Sequence, residues 1–247
     1  MRMRKKKNLV PRMERCGDFL IRDPYDRAGR WRELMPEARE LRLELGCGKG
    51  RFTVDTAGSL PEILYIAIEK VPDAMIIAME RARERGLQNL RFIDGDAARL
   101  GEMFAPGEVD RIYINFCDPW PKSRDAKFRL TYPGFLRSYA MLLPVGGQIH
   151  FKTDNLPLFR WSIEQMEREG WALSEVTNDL HADGGDFFMT DYEAKFTAEG
   201  LKINRLVATK TEKTLDISAP ALERMRGAAL TDARGYEESR RAREEQA

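Results

Sequence analysis

The chain has 247 residues, 43% hydrophobic and 33% charged, and its 41 Lys and Arg against 40 Asp and Glu leave a formal net charge of +1. That composition supports one large domain or two small ones, and it excludes both wholesale disorder and a protein basic along its whole length. No uncharged run approaches the ~18 apolar residues of a membrane span, the opening MRMRKKKNLVPRM has no apolar signal segment, and Cys16, Cys47 and Cys117 form no CxxC pair.

A cytoplasmic protein with no membrane or metal partner is therefore expected. Residues 1–15 form a basic tail, with seven Lys and Arg against Glu14. LRLELGCGKG reads as a short apolar strand, 41–45, running into a glycine turn. LYIAIEK is a second strand ending at Glu69. PDAMIIAMERARERG then places Met75, Ile76, Met79 and Ala82 at helical spacing, with Pro72 in the first turn and Gly86 where a C′ glycine belongs. LRFIDGD is a third strand. VDRIYINFCDPW is a fourth, whose dense apolar centre marks burial on both faces. A second basic run follows at 119–131, with four Lys and Arg against Asp125. GGQIHFKTD is a fifth strand, and LPLFRWSIEQMEREG a helix with Phe159, Ile163 and Met166 on one side. The final TDARGYEESRRAREEQA has no apolar face to bury.

Strands alternating with helices in this way predict an open, mostly parallel α/β sheet. Functional groups of such sheets lie beyond the carboxyl ends of the strands. Here those ends are 46–50, Glu69, 94–96, Asp118 and Asp154, and each is glycine or acidic. The first spells E-x-G-x-G-x-G from Glu44 through Gly46, Gly48 and Gly50. Arg51 stands where a dinucleotide fingerprint would have its third glycine, so the loop suits a nucleoside cofactor without a pyrophosphate. Glu69, 25 residues after Glu44, is spaced to accept ribose hydroxyls, and Asp96 to meet an adenine edge.

Glycines and acids in this order resemble the class I S-adenosylmethionine-dependent methyltransferases. FCDPWPKSRDAKFRL after the fourth strand, FKTDN after the fifth, and TDYEAKF ahead of GLKINRL resemble the bacterial tRNA (guanine-N7-)-methyltransferase family. The resemblance runs from about Cys16 to Ala208. It implies a Rossmann-like α/β fold, a mostly parallel seven-stranded sheet with helices on both faces. It also implies methyl transfer from S-adenosyl-L-methionine to N7 of a guanine in the tRNA variable loop, by a monomer or homodimer. Carried over, it makes Glu44, Glu69, Asp96 and Asp118 cofactor contacts along with the glycines. Lys122, Asp154, Thr190, Asp191, Tyr192 and Glu193 become substrate contacts. Residues 16–208 form the methyltransferase domain between the basic tail and a charged extension, 209–247, that passes the usual family end. The chain departs from the family in its basic loop, where Asp125 replaces an expected His and Phe128 a basic residue.

Guanine N7 has an in-plane lone pair, so no strong base is required; placement and electrostatics do the work. The donors N1–H and N2 of guanine call for a carboxylate. Asp118 is expected to border both cofactor and base as the catalytic residue, with Asp154 and Glu193 fixing the guanine. Trp120 or Tyr192 would stack on an extruded base, although Trp120 reads equally well as core packing. Lys122, Arg124, Lys127 and Arg129 would grip tRNA phosphates. Cys47 and Cys117 read as small buried hydrophobes. Two rivals remain: a methyltransferase of small molecules or proteins, which has no use for the basic loop, and a non-catalytic RNA-binding module on the same fold.

Overall fold

The five apolar runs read from the sequence form strands, and two more follow, giving seven among the described residues: β1 (Glu40–Leu45), β2 (Ile63–Glu69), β3 (Leu90–Asp94), β4 (Arg111–Asn115), β5 (Gln148–Thr153), β6 (Ala172–Thr177) and β7 (Asn204–Thr209). The structure is a computed structural model that describes residues 5–182 and 188–214; the remainder of the basic tail and of the charged extension lies outside the described residues. One sheet holds all seven strands, in the order β3-β2-β1-β4-β5-β7-β6. The first five strands pair in parallel, and β7 runs antiparallel to both of its neighbours. The expected mostly parallel, Rossmann-like sheet is present, with one antiparallel hairpin at its edge.

Among the described residues, seven α-helices accompany the strands: α1 (Leu9–Arg15), α2 (Arg51–Ser59), α3 (Pro72–Glu84), α4 (Leu100–Met103), α5 (Pro133–Leu142), α6 (Leu156–Arg168) and α7 (Asp191–Ala198). α3 forms where its periodicity predicts, and Gly86 follows it at φ 63°. Strand alternation sorts the core. Leu41, Leu43 and Leu45 of β1, with Ile112 and Ile114 of β4 and Ile149 and Phe151 of β5, face α5 and α6. Ile63, Tyr65 and Ala67 of β2 face α2 and α3. On that second side β1, β4 and β5 turn polar, carrying Arg42, Glu44, Asn115, His150 and Lys152.

The basic tail is partly folded. Leu9 and Met13 of α1 pack on the core under α3, and Arg12 holds Glu80 through two hydrogen bonds of 2.7 and 2.5 Å. Residues 9–15 are thus a docked helix rather than a free arm. At the other end, Lys210 donates to the carbonyls of Ala140 and Leu143 at the end of α5, and Thr211 Oγ1 donates to Gly170 O at 2.9 Å. The described residues 209–214 therefore stay tied to the domain.

Candidate active site

Beyond Leu45 the chain turns through Gly46, Gly48 and Gly50 at φ 78°, 57° and 76°, left-handed values that glycine adopts freely. The three glycines do different jobs. A Cβ on Gly46 or Gly48 would meet nothing within 4 Å, whereas on Gly50 it would stand 2.3 Å from Ala78 Cβ. Gly50 lets α2 press against α3, while Gly46 and Gly48 leave an open backbone cradle above the sheet. Glu69 braces that cradle: its Oε2 accepts from the Gly48 N–H at 2.8 Å and its Oε1 from the Val71 N–H at 2.9 Å. A carboxylate offers about four lone-pair sites, so acceptor capacity remains for ribose hydroxyls. Burial pushes its pKa up, against the pull of the Gly48 and Val71 N–H groups.

Glu44 lies deeper. It is 1% exposed and accepts from Thr53 Oγ1 at 2.6 Å, Tyr65 Oη at 3.1 Å and Asn115 Nδ2 at 3.4 Å. Burial raises its pKa, and those three donors oppose the rise. Its carboxyl ties β1, α2, β2 and β4 together beneath the cradle. Asp96 is half-buried and accepts from the Ala98 N–H at 2.9 Å. Asp118 and Asp154 are exposed, just past β4 and β5, whose ends are in register with Asn115 opposite Lys152. Glu69, Asp96, Asp118 and Asp154 thus share one edge of the sheet with the cradle, as their sequence positions predict.

The loop after β4 is strained on both sides of Asp118: Phe116 has φ 54° and Trp120 φ 43°. Non-glycine residues rarely hold such values unless the surroundings enforce them. Arg129 does part of the enforcing. Its Nη2 donates to Trp120 O at 2.9 Å and its Nε to Pro119 O at 3.1 Å, and the guanidinium lies 4.4 Å from the Trp161 ring centre. Lys122, Arg124 and Lys127 stand exposed on the same loop. Arg129 therefore shapes the loop from inside while the other three present charge to solvent. Trp120 packs on Phe128 with ring centres 5.2 Å apart. Burial, then Asp118, pushes the Cys117 thiol up to about 12, and burial raises Cys47 well above the usual thiol range; neither is a nucleophile at neutral pH.

Thr190 caps α7 in a reciprocal box with Glu193. The sequence expectation set Glu193 against guanine. Its side chain is instead fully buried, accepting from Lys152 Nζ at 2.7 Å and lying 3.1 Å from His181 Nε2. Asp191 accepts two hydrogen bonds from Arg81 of α3, at 2.7 and 3.2 Å. Tyr192 is 55% exposed. Sequence reasoning missed Lys152, His181 and Arg81, whose partners lie 41, 12 and 110 residues away. The T-x-x-E capping signature was the one available signal that Glu193 folds back on its own helix.

A family model described as "Putative methyltransferase" matches residues 38–206. Among solved structures, the 16S rRNA methyltransferase KamB superposes with a TM-score of 0.57 at 17% identity, over 76% of this chain and 94% of that one. A variant of the 16S rRNA (adenine(1408)-N(1))-methyltransferase from Catenulisporales acidiphilia, determined with its cosubstrate S-adenosylmethionine, gives 0.55 at 16% identity over 77% and 92%. The aminoglycoside resistance methyltransferase NpmB1 gives 0.51 at 19% identity over 74% and 93%. These likenesses place the fold, and the open glycine cradle with its Glu69 brace suits the same nucleoside cosubstrate. With a family model spanning most of its length, the chain belongs to the tRNA guanine-N7 methyltransferase family and is a class I enzyme whose methyl donor is S-adenosyl-L-methionine.

Proposed function

We propose that the protein transfers a methyl group from S-adenosyl-L-methionine to N7 of a guanine in the tRNA variable loop. The observation that carries this reading is the loop after β4. It displays Lys122, Arg124 and Lys127 to solvent and holds Asp118 between two left-handed residues, on the sheet edge that bears the glycine cradle. A methyltransferase of small molecules has no need of such a loop. Family membership supports the same reading, and the 16S rRNA substrates named for two structural neighbours support RNA as the class of substrate.

In this reading Gly46, Gly48, Glu69 and Asp96 hold the nucleoside end of the cofactor, and Glu44 fixes the cradle from below. When bound, S-adenosylmethionine supplies a methyl on a positively charged sulfur. Asp118 and Asp154, both exposed, accept from guanine N1–H and the N2 amine and turn N7 toward that methyl. Their charge also favours the cationic methylated ring. No residue has to remove a proton from N7, and in-line placement alone is worth up to about 7–11 kcal/mol. Lys122, Arg124 and Lys127 contact phosphates, and exposed Tyr192 offers a ring for a displaced base. Glu193, through Lys152, holds the segment that presents Tyr192.

The test is incubation with labelled S-adenosylmethionine and bulk tRNA or 16S rRNA, followed by nucleoside analysis. Appearance of 7-methylguanosine in tRNA, lost in Asp118→Ala, is expected. Label in another nucleoside, or only in rRNA, overturns the proposal.

A further inference from the structure

The polar side of β1, β4 and β5 is only partly covered by α2. A cavity of about 210 Å³ remains between Phe52 and Thr56 of α2 and these strands, reaching Arg205 of β7 and Phe188. Two residues of its wall each leave one buried polar atom without a partner: Thr56 Oγ1, on a residue 3% exposed, and Asn115 Oδ1, on a residue 7% exposed. Buried polar atoms are bonded as a rule, because leaving one unsatisfied costs its full desolvation. An orphaned hydroxyl and an orphaned amide oxygen on one cavity wall mark a place where a ligand edge would supply the missing bonds.

Charge in the cavity has one sign. Among the described residues, Arg42, Lys152 and Arg205 line it and no carboxylate does. Outside the lining, Glu40, Glu193 and Glu175 pair with Arg42, Lys152 and Arg205 in turn, and Glu44 accepts from Asn115 Nδ2 at 3.4 Å. His150, also on the wall, is kept neutral, its pKa pushed down to about 3 first by burial and then by Arg111, Arg205, Arg42 and Lys152. The charged groups on the described wall are therefore the three cations, with their paired carboxylates outside the lining. Phe52 and Tyr113 add flat apolar surface. The volume lies below the roughly 300–1,000 Å³ typical of drug-sized ligands, so the occupant is about as large as a nucleobase. None of Gly46, Gly48, Glu69, Asp96 or Asp118 lines the cavity, although Asn115 and Lys152 of its wall also bond Glu44 and Glu193, which support the site proposed for methyl transfer.

We propose that this cavity is a second binding site, for a small planar anion: a one- or two-ring aromatic or heterocyclic acid whose polar edge bonds Thr56 and Asn115 and whose negative group faces Arg42 and Arg205. The probes are orotate, nicotinate and benzoate, titrated calorimetrically into the full chain saturated with S-adenosylhomocysteine, with uracil and nicotinamide as uncharged counterparts. At least one acid should bind saturably, and at least tenfold more tightly than its uncharged counterpart. Thr56→Val should weaken that acid at least fivefold while raising the Tm of the ligand-free protein, because a methyl replaces an unsatisfied hydroxyl. Arg205→Gln, on the rim, should weaken it by a similar factor and carries the same comparison if the Val variant folds poorly. No saturable binding of any of the three acids up to about 10 mM overturns the proposal. So does equal affinity for acid and uncharged counterpart, or an affinity that neither variant changes.

Discussion

Arg81 joins the glycine loop to the segment after it in space, holding Asp191 with two hydrogen bonds of 2.7 and 3.2 Å while donating to Lys49 O at 2.9 Å. One side chain of α3 thus touches the backbone beside the proposed cofactor cradle and the first residue of α7. The pair is about one-third exposed on each side, so solvent screens it and its coupling is worth about 1 kcal/mol. Asp191→Asn, which touches no part of the cradle, should therefore weaken S-adenosylmethionine binding by up to about fivefold by loosening Arg81. Arg81→Gln should do the same, and the double variant no more than either alone. Calorimetric titration of the cofactor checks this; additive losses would mean that the two ends act independently.

The glycines of the cradle separate folding from binding. Gly50→Ala places a methyl 2.3 Å from Ala78 Cβ and 2.8 Å from its Cα, at φ 76°. Backbone cannot yield as a flexible side chain would, so a loss of about 2–5 kcal/mol in stability is expected from overpacking and the left-handed penalty together. Gly48→Ala bears only the second cost, about 1–2 kcal/mol, since its methyl meets open space. It should fold and yet bind cofactor at least about tenfold more weakly, because the methyl occupies the cradle. Urea melts beside cofactor titrations distinguish the two variants.

Much of the fold was legible because the central strands are apolar runs that stop at glycine or an acid, as β2 does at Glu69 with all seven residues buried. β6 offered no such signal: none of its residues is fully buried, and Glu175 takes a left-handed φ of 50°. The acids at the strand ends could be placed by topology alone. What each one touches could not. Glu193 and Lys152 meet across 41 residues, and whether a motif acid faces substrate or a lysine depends on packing that no local pattern encodes. Arg129 is the same lesson in the basic loop, where it is indistinguishable in sequence from Lys127 but bonds the backbone of its own loop.

Glu44 should make stability depend on pH in a recognisable direction. Burial raises its folded-state pKa above the ordinary carboxylate value, so the native state holds the proton more tightly than the unfolded chain. The resulting stabilisation is fully present below the unfolded pKa and disappears as pH rises through the folded one. Glu44→Gln keeps an acceptor for Thr53 and Tyr65 but removes the titration. Relative to the variant, the natural protein should therefore lose stability as pH rises above the ordinary carboxylate range. Parallel pH dependences in chemical denaturation would show that Glu44 does not titrate differently in the folded chain.

The basic loop yields a prediction in which charge and structure part company. Lys122, Arg124 and Lys127 are exposed, and Asp125 lies 3.9 Å from Arg124. If all three contact phosphates, replacing them with Gln should reduce the salt dependence of tRNA binding by about 2–3 in the slope of log K against log salt, at about 0.7–0.9 per contact. The fold should be untouched, since these side chains bond nothing that a melt would sense. Arg129→Gln should do the opposite. Its guanidinium bonds the Pro119 and Trp120 carbonyls and lies over Trp161, so its loss should cost about 1–3 kcal/mol of stability and change the slope by less than about one. It should also slow methyl transfer, because the left-handed turn at Trp120 that holds Asp118 loses its brace. Filter binding over a range of salt, with melts on the same samples, measures both quantities; a full unit of slope lost with stability intact would return Arg129 to the phosphate-binding set.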